Sequence, residues 1–379
     1  MSSLSPSDHL TLPARFRRLN GGMIALIVMI GLIGIALLYS AGGKHWTPWA
    51  GPQLARFAAG LCLMMALALT DVRVWLRFAY PMYGVMLALL VIVELMGHIG
   101  MGAQRWINLG FFVLQPSELM KITLVLALAK YFHGLSPEDI THPMKLIAPA
   151  AMVCAPVGLV LLQPNLGTAL LLTFASAAVF WAAGVRWWKF ALVLALAGLL
   201  LPIAWHHLHE YQRARLMTFM NPAADPLGHG YNIMQSKIAL GSGGLFGRGF
   251  GQGPQSQLQF LPEKHTDFIF VVLAEEFGLV GALFLLFLYF LLIAYGFIIA
   301  WTCRNPFGRL AALGLTVSFF LYVFVNVAMV TGTIPVVGIP LPLVSYGGTA
   351  MLTLLIGCGV LLSISVHRDM RLSRTGINE

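Results

Sequence analysis

Polar positions in this chain gather in short segments between long apolar runs. A helix that crosses a bilayer needs about 20 consecutive, mostly apolar residues. Ten runs approach that length, at residues 23–40, 53–70, 76–97, 117–133, 145–162, 166–184, 188–205, 267–301, 309–331 and 349–367. The pattern predicts an all-α polytopic membrane protein with about ten transmembrane helices in one integral membrane domain, residues 1–379. The eighth run is too long for one untilted span, so it is expected to tilt, kink or project from the membrane. The run at 166–184 follows a very short Gln-Pro-Asn turn, which also suits a partial or re-entrant helix.

Lys and Arg set the orientation. With the N-terminus inside, the inner loops hold Arg73 and Arg77, Lys130 and Lys145, Arg186 and Lys189, and Arg304 and Arg309. The C-terminal tail, with Arg368, Arg371 and Arg374, then also lies in the cytoplasm, as an even number of spans requires. Loops 98–116 and 332–348 fall outside, with the large loop 206–266 between spans seven and eight. The polar, motif-rich segments therefore share the external face.

Composition agrees. The chain is 59% hydrophobic and 10% charged, against about 25% charged residues in soluble domains. Its net charge of +9 is explained by cytoplasmic loops, and no basic cluster with interleaved aromatics points to nucleic acid. Cys62, Cys154, Cys303 and Cys358 lie in or beside apolar runs without metal-ligand spacing. They read as small hydrophobic residues. Arg15, Arg17 and Arg18 precede the first run, and no A-x-A-like site follows it, so that span reads as an uncleaved signal anchor.

The stretch GSGGLFGRGFGQG, residues 241–253, has seven glycines in thirteen positions. It reads either as a turn-rich connector or as backbone that approaches a phosphate closely. It is not a P-loop, because no G-K-[ST] opens a helix. Asp267 stands at the start of the eighth run, next to Glu263, Lys264 and His265. A helix-start acid is favoured by the macrodipole, but an ionisable group at membrane depth also marks function. Glu275 lies about 12 Å further along a helix rising 1.5 Å per residue. That is too far for the paired carboxylates of a glycosidase, about 5–9.5 Å apart. Glu275 and Glu276 are expected in structural ion pairs. In QPSELMK, residues 115–121, Glu118 and Lys121 share a helix face. Helix-start chemistry accounts for Pro116 and Glu118 but not for a buried lysine. Lys121 has Glu118, Glu275 and a ligand phosphate as possible partners. Arg105 and Trp106 in AQRWINLG suit a lipid head group and an interface anchor. Ser345 lies in the turn-rich PLVSYGG. His206, His207 and His209 lack the acids and cysteines of a zinc pattern.

These segments together resemble the SEDS family (shape, elongation, division and sporulation), and within it the RodA branch. The resemblance rests on residues 211–281, which include YQRAR, GYNIMQSK, QSQLQFLPEKHTDFIF and AEEFG, and on AQRWINLG, QPSELMK, LLQPNLGTAL and PLPLVSYGG. It covers nearly the whole chain. Phe277 and Pro254 are small departures that leave the charged positions untouched. The resemblance implies a peptidoglycan glycosyltransferase that polymerises lipid II outside the bacterial inner membrane for cell elongation. It also implies a class B penicillin-binding protein as partner within an elongation complex. The aspartate of the HTDF motif, here Asp267, is implied to be the essential acid. Lys121 and, from YQRAR, Arg215 are implied to line the substrate cavity, with Glu118, Arg105, Trp106 and Ser345 expected there too. A diphosphate leaving group needs no acid, so one general base suffices for inversion. The chemistry has room for a divalent cation, Mg or Mn, without requiring one. Two alternatives stay open from sequence, a lipid II flippase and a non-catalytic scaffold of the cell-wall machinery.

Overall fold

The computed structural model describes residues 11–96, 98–100, 103–108, 113–207, 213, 217–219, 229–257, 263–370 and 372. In chain order the helices are α1 (Leu12–Arg17), α2 (Gly21–Ala41), α3 (Gly51–Ala68), α4 (Val72–Met96), α5 (Pro116–His133), α6 (Pro137–Thr141), α7 (Pro143–Leu162), α8 (Leu166–Ala183) and α9 (Trp187–His207). Then follow α10 (His229–Ser242), α11 (Pro254–Gln257), α12 (Ile269–Thr302), α13 (Pro306–Val330) and α14 (Gly348–Val366). Each of the ten predicted runs is a helix. Eight of them, all but α5 and α9, are long and apolar enough by themselves to cross a membrane. The stretch at 166–184 is among the eight, as an unbroken helix of 18 residues.

Local chemistry sets the helix ends. Asn20, Asn165 and Asn305 each cap a start by accepting a backbone N–H with the side-chain oxygen, and Pro306 occupies the first turn of α13. The polar helix is the inner one. Glu118, Lys121 and most of α5 are buried against α4, α7, α8 and α13, whereas α4 and α7 leave most of their apolar surface outward. In a bilayer this inverts the soluble pattern, because charge must be kept from lipid.

Strands are few among the described residues. Between α4 and α5 lie β1 (His98–Gly100), β2 (Ala103–Asn108) and β3 (Val113–Leu114), joined antiparallel in that order. At one end of the bundle the first and last described segments meet. Arg15 reaches Asp71 at 3.8 Å and donates to the Leu69 carbonyl, and Arg18 and Arg304 each lie 3.9 Å from Asp369. The first and last described segments thus lie at the same end of the bundle.

Helix α12 is broken at Gly278, where φ is 66° and ψ is −163°. The 34-residue element is therefore a half-helix, Ile269–Phe277, followed by a full crossing. The freed backbone groups are satisfied by the glycine-rich loop. Arg248 and Gly249 N–H donate to the Glu275 and Glu276 carbonyls, while Leu279 and Val280 N–H donate to Gly244 and Leu245. Such satisfaction is compulsory wherever water is excluded. Of the two readings of residues 241–253, the contacts favour the structural one, a splint on a broken helix. The approach is so close that a Cβ on Gly247 would lie 2.1 Å from the Glu276 carbonyl oxygen.

The break reverses the expected depth of the acids. Glu276 accepts a hydrogen bond from Ser40, next to the last residue of α2. The Asp267 carbonyl instead bonds Asn326, four residues inside the end of α13, about 6 Å along a helix. Along the bundle axis the Asp267 backbone thus sits about one turn inside the end of α13, whereas Glu276, although buried, sits beside the end of α2, because the half-helix runs back toward that end before the chain turns at Gly278.

Gly278→Ala is expected to fail. A Cβ there would lie 2.4 Å from Gly247 N and 2.5 Å from the Leu245 oxygen, and the backbone region is close to glycine-only, costing about 1–3 kcal/mol before any clash. Thermal unfolding in detergent should show a loss of at least that size. Gly241→Ala, with open space around the position, should leave the midpoint unchanged. Equal midpoints for the two variants would show that the splint contributes nothing.

Candidate active site

The segment before α12 is a tight turn closed on Glu263. Its carbonyl accepts from Thr266 and Phe268 N–H, and its carboxylate accepts from the Thr266 hydroxyl at 2.8 Å. The PLVSYGG loop clamps this turn. Tyr346 N–H donates to the His265 carbonyl at 2.8 Å, and the Ser345 hydroxyl donates to the Thr266 carbonyl at 2.5 Å while accepting from Leu341 N–H. Gln53 of α3 in turn holds the Ser345 carbonyl at 2.8 Å. Ser345 is buried, so its hydroxyl acts within the protein as a brace for the residue preceding Asp267.

Aromatic rings wall one side. The His265 ring stacks on Trp49 at 3.9 Å, Tyr346 meets Trp49 edge-on, and the Arg56 guanidinium lies 4.9 Å from the Tyr346 ring centre. Burial lowers the pKa of His265, an effect opposed by Glu263 and reinforced by Lys264. Burial also lowers that of Lys264, opposed by Glu275. The cations flanking Asp267 are thus held less firmly charged than in water.

Asp267 is half-buried. Its carbonyl accepts from Asn326 Nδ2 at 2.9 Å, and the same amide donates to the Ile339 carbonyl at 2.7 Å. The carboxylate faces Gly338, where an added Cβ would stand 3.3 Å from Asp267 Oδ2. Glycine is favoured there by its positive φ of 76°, and a Cβ would press lightly on the carboxylate.

One turn deeper on α13 lies a second polar group. Lys121 Nζ and Glu118 Oε1 are 2.6 Å apart, Tyr322 donates its hydroxyl to Glu118 Oε2 at 2.7 Å, and Lys121 Nζ sits 4.3 Å over the Tyr322 ring. Of the three partners considered for Lys121, the structure selects Glu118 within the protein. A mostly apolar cavity of about 40 Å³ adjoins this group, lined by Leu315, Phe319, Leu354 and Leu361 with Lys121 and Tyr322.

The remaining candidates are placed as follows. Arg105 of β2 donates from Nε to the Gln163 carbonyl at 3.0 Å and from a terminal nitrogen to the Pro164 carbonyl, bracing the turn between α7 and α8. Trp106, half-buried on the same strand, pairs in register with His98. Glu275 Oε1 accepts from Gln255 N–H at 2.8 Å, and both Glu275 and Glu276 are buried. Arg215 and His209 lie outside the described residues, while His206 and His207 end α9. No group of three His, Cys, Asp or Glu among the described residues is placed to hold a metal. Sequence reasoning missed Trp49, Gln53, Tyr322 and Asn326. The available signal was a lone Asn inside an apolar run, four residues after a Tyr.

A family model described as "Cell cycle protein" (FTSW_RODA_SPOVE) matches residues 18–370. The chain is 43% identical over 355 residues to the Escherichia coli K12 protein named peptidoglycan glycosyltransferase MrdB, covering 93% of this chain and 95% of that one. It is 35% identical over 364 residues to a probable peptidoglycan glycosyltransferase FtsW of Trichlorobacter lovleyi, covering 93% and 94%. Two solved structures share its architecture. One is from a peptidoglycan synthase complex studied for coordination of polymerization and crosslinking (TM-score 0.81, 34% identity, 93% of this chain and 98% of that one). The other is the Thermus thermophilus rod shape determining protein RodA (TM-score 0.71, 32% identity, 93% and 98%). A match over almost the full length, in sequence and in fold, places this multi-pass membrane protein in the SEDS family, in its RodA branch.

Proposed function

We propose that this protein is the glycan polymerase of cell elongation, joining lipid II units on the outer face of the bacterial inner membrane. The observation that carries the reading is one half-buried carboxylate, Asp267, whose backbone is held by Asn326, one helical turn after the Tyr322 that holds the buried Glu118–Lys121 pair. It occurs in a chain 43% identical to a named peptidoglycan glycosyltransferase. The donor is a glycan on polyprenyl diphosphate and the acceptor is a sugar hydroxyl of lipid II. The acceptor oxygen attacks the anomeric carbon, the bond to diphosphate breaks, and Asp267 takes the hydroxyl proton. Negative charge then grows on the diphosphate. Lys121 supplies positive potential there, a task that the family resemblance also gives to Arg215 and Arg105. Glu275 and Glu276 hold the half-helix and its splint. The lipid tails remain in grooves between spans, and a class B penicillin-binding protein cross-links the product.

Translocation of lipid II is the weaker reading. The polar groups around Asp267 gather at one end of the bundle, and the other end offers only Arg–Asp contacts among Arg15, Arg18, Arg304, Asp71 and Asp369 in the described residues. The test is polymerisation of labelled lipid II by the purified chain, with and without a class B penicillin-binding protein. Moenomycin-resistant glycan is the expected product. No polymer, under conditions in which the Escherichia coli relative makes it, would overturn the proposal.

A further inference from the structure

We infer that Asn326 is a positioning residue for Asp267, setting the carboxylate against the incoming hydroxyl. The inference rests on the reading of Asp267 as general base.

Asn326 is fully buried in α13. An amide NH₂ carries two hydrogens, and both are used here, on the Asp267 carbonyl at 2.9 Å and the Ile339 carbonyl at 2.7 Å. Those carbonyls belong to two irregular segments, the turn before α12 and the loop after α13. Ile339 adjoins Gly338, which faces the Asp267 carboxylate. One amide therefore aligns the backbone that carries the carboxylate and the backbone that faces it. An amide buried in an apolar span calls for a reason beyond packing, and alignment of these two carbonyls supplies one.

The mounting is rigid. Tyr322, one turn earlier on the same helix, holds Glu118 and with it Lys121. A single helix thus carries both braces, so the depth from base to cation is a property of α13. Rates are sensitive to such alignment, since a misplacement of 1 Å costs about 10²-fold.

The test compares Asn326→Ala, Asn326→Asp and Asp267→Asn in the lipid II polymerisation assay, normalised to folded protein by thermal unfolding. Asn326→Ala should lower kcat about 10- to 100-fold per folded molecule, with KM within about twofold. Asn326→Asp keeps the shape, but its carboxyl, buried against two carbonyl oxygens, keeps its proton and can donate to only one of them. Its kcat should fall as well, by less than in Asn326→Ala, with KM again within about twofold, because one of the two alignments survives. A purely structural Asn326 predicts lower midpoints with wild-type kcat per folded molecule, and that result overturns the inference. If Asn326→Ala cannot be purified folded, the isosteric Asn326→Asp decides by its kcat per folded molecule. Activity retained in Asp267→Asn overturns the general-base reading and this inference together. Activity lost in Asp267→Asn with wild-type kcat in the Asn326 variants overturns this inference alone.

Discussion

Asp267→Asn is expected to reduce glycan polymerisation by about 10²–10⁴-fold, the usual contribution of a positioned general base. The substitution is nearly isosteric. The bond from Asn326 falls on the Asp267 backbone carbonyl, so the variant keeps it. Gly338 leaves room for an amide as it does for a carboxylate. The braces on either side, from Ser345 to Thr266 and from Tyr346 to His265, do not involve the carboxylate. Stability and lipid II binding should therefore hold while turnover collapses, the signature of a group that matters only in the transition state. Polymer made at the wild-type rate would remove Asp267 from the chemistry.

Lys121→Met should have the second-largest effect, on folding as well as on turnover. Glu118 and Lys121 are 6% and 4% exposed. Removing the cation leaves Glu118 with the Tyr322 hydroxyl as its remaining hydrogen-bond partner, a loss of about 3–5 kcal/mol when one member of a buried pair is deleted. Replacing both members by neutral residues is commonly near neutral, so Glu118→Gln with Lys121→Met should restore most of the thermal midpoint. Activity then separates two roles. If the Lys121 charge acts on the leaving diphosphate, the double variant folds and stays inactive. If the pair only holds α5 against α13, the double variant regains polymerisation.

The sequence by itself determined the architecture. Ten apolar runs became ten helices, since the bilayer demands length and hydropathy, both visible one segment at a time. It also marked Asp267, Glu118 and Lys121 as charges at or inside apolar runs, while the role of Asp267 came from the family resemblance. The excess length of the eighth run left tilt, a kink or projection from the membrane open, and the assumption of one continuous helix put Glu275 and Glu276 deeper than Asp267. Only the tertiary structure placed the break at Gly278 and the glycine-rich loop on it, a pairing between segments about 30 residues apart. Only the tertiary structure, too, chose Glu118 for Lys121, brought Arg105 to the Gln163–Pro164 turn and revealed Asn326. The physical reason is common to all of these. Hydropathy is a local property of the chain, whereas the site is made by hydrogen bonds between distant segments. Asn326 to Asp267 spans 59 residues, Ser345 to Thr266 spans 79, and Gln53 to Ser345 spans 292.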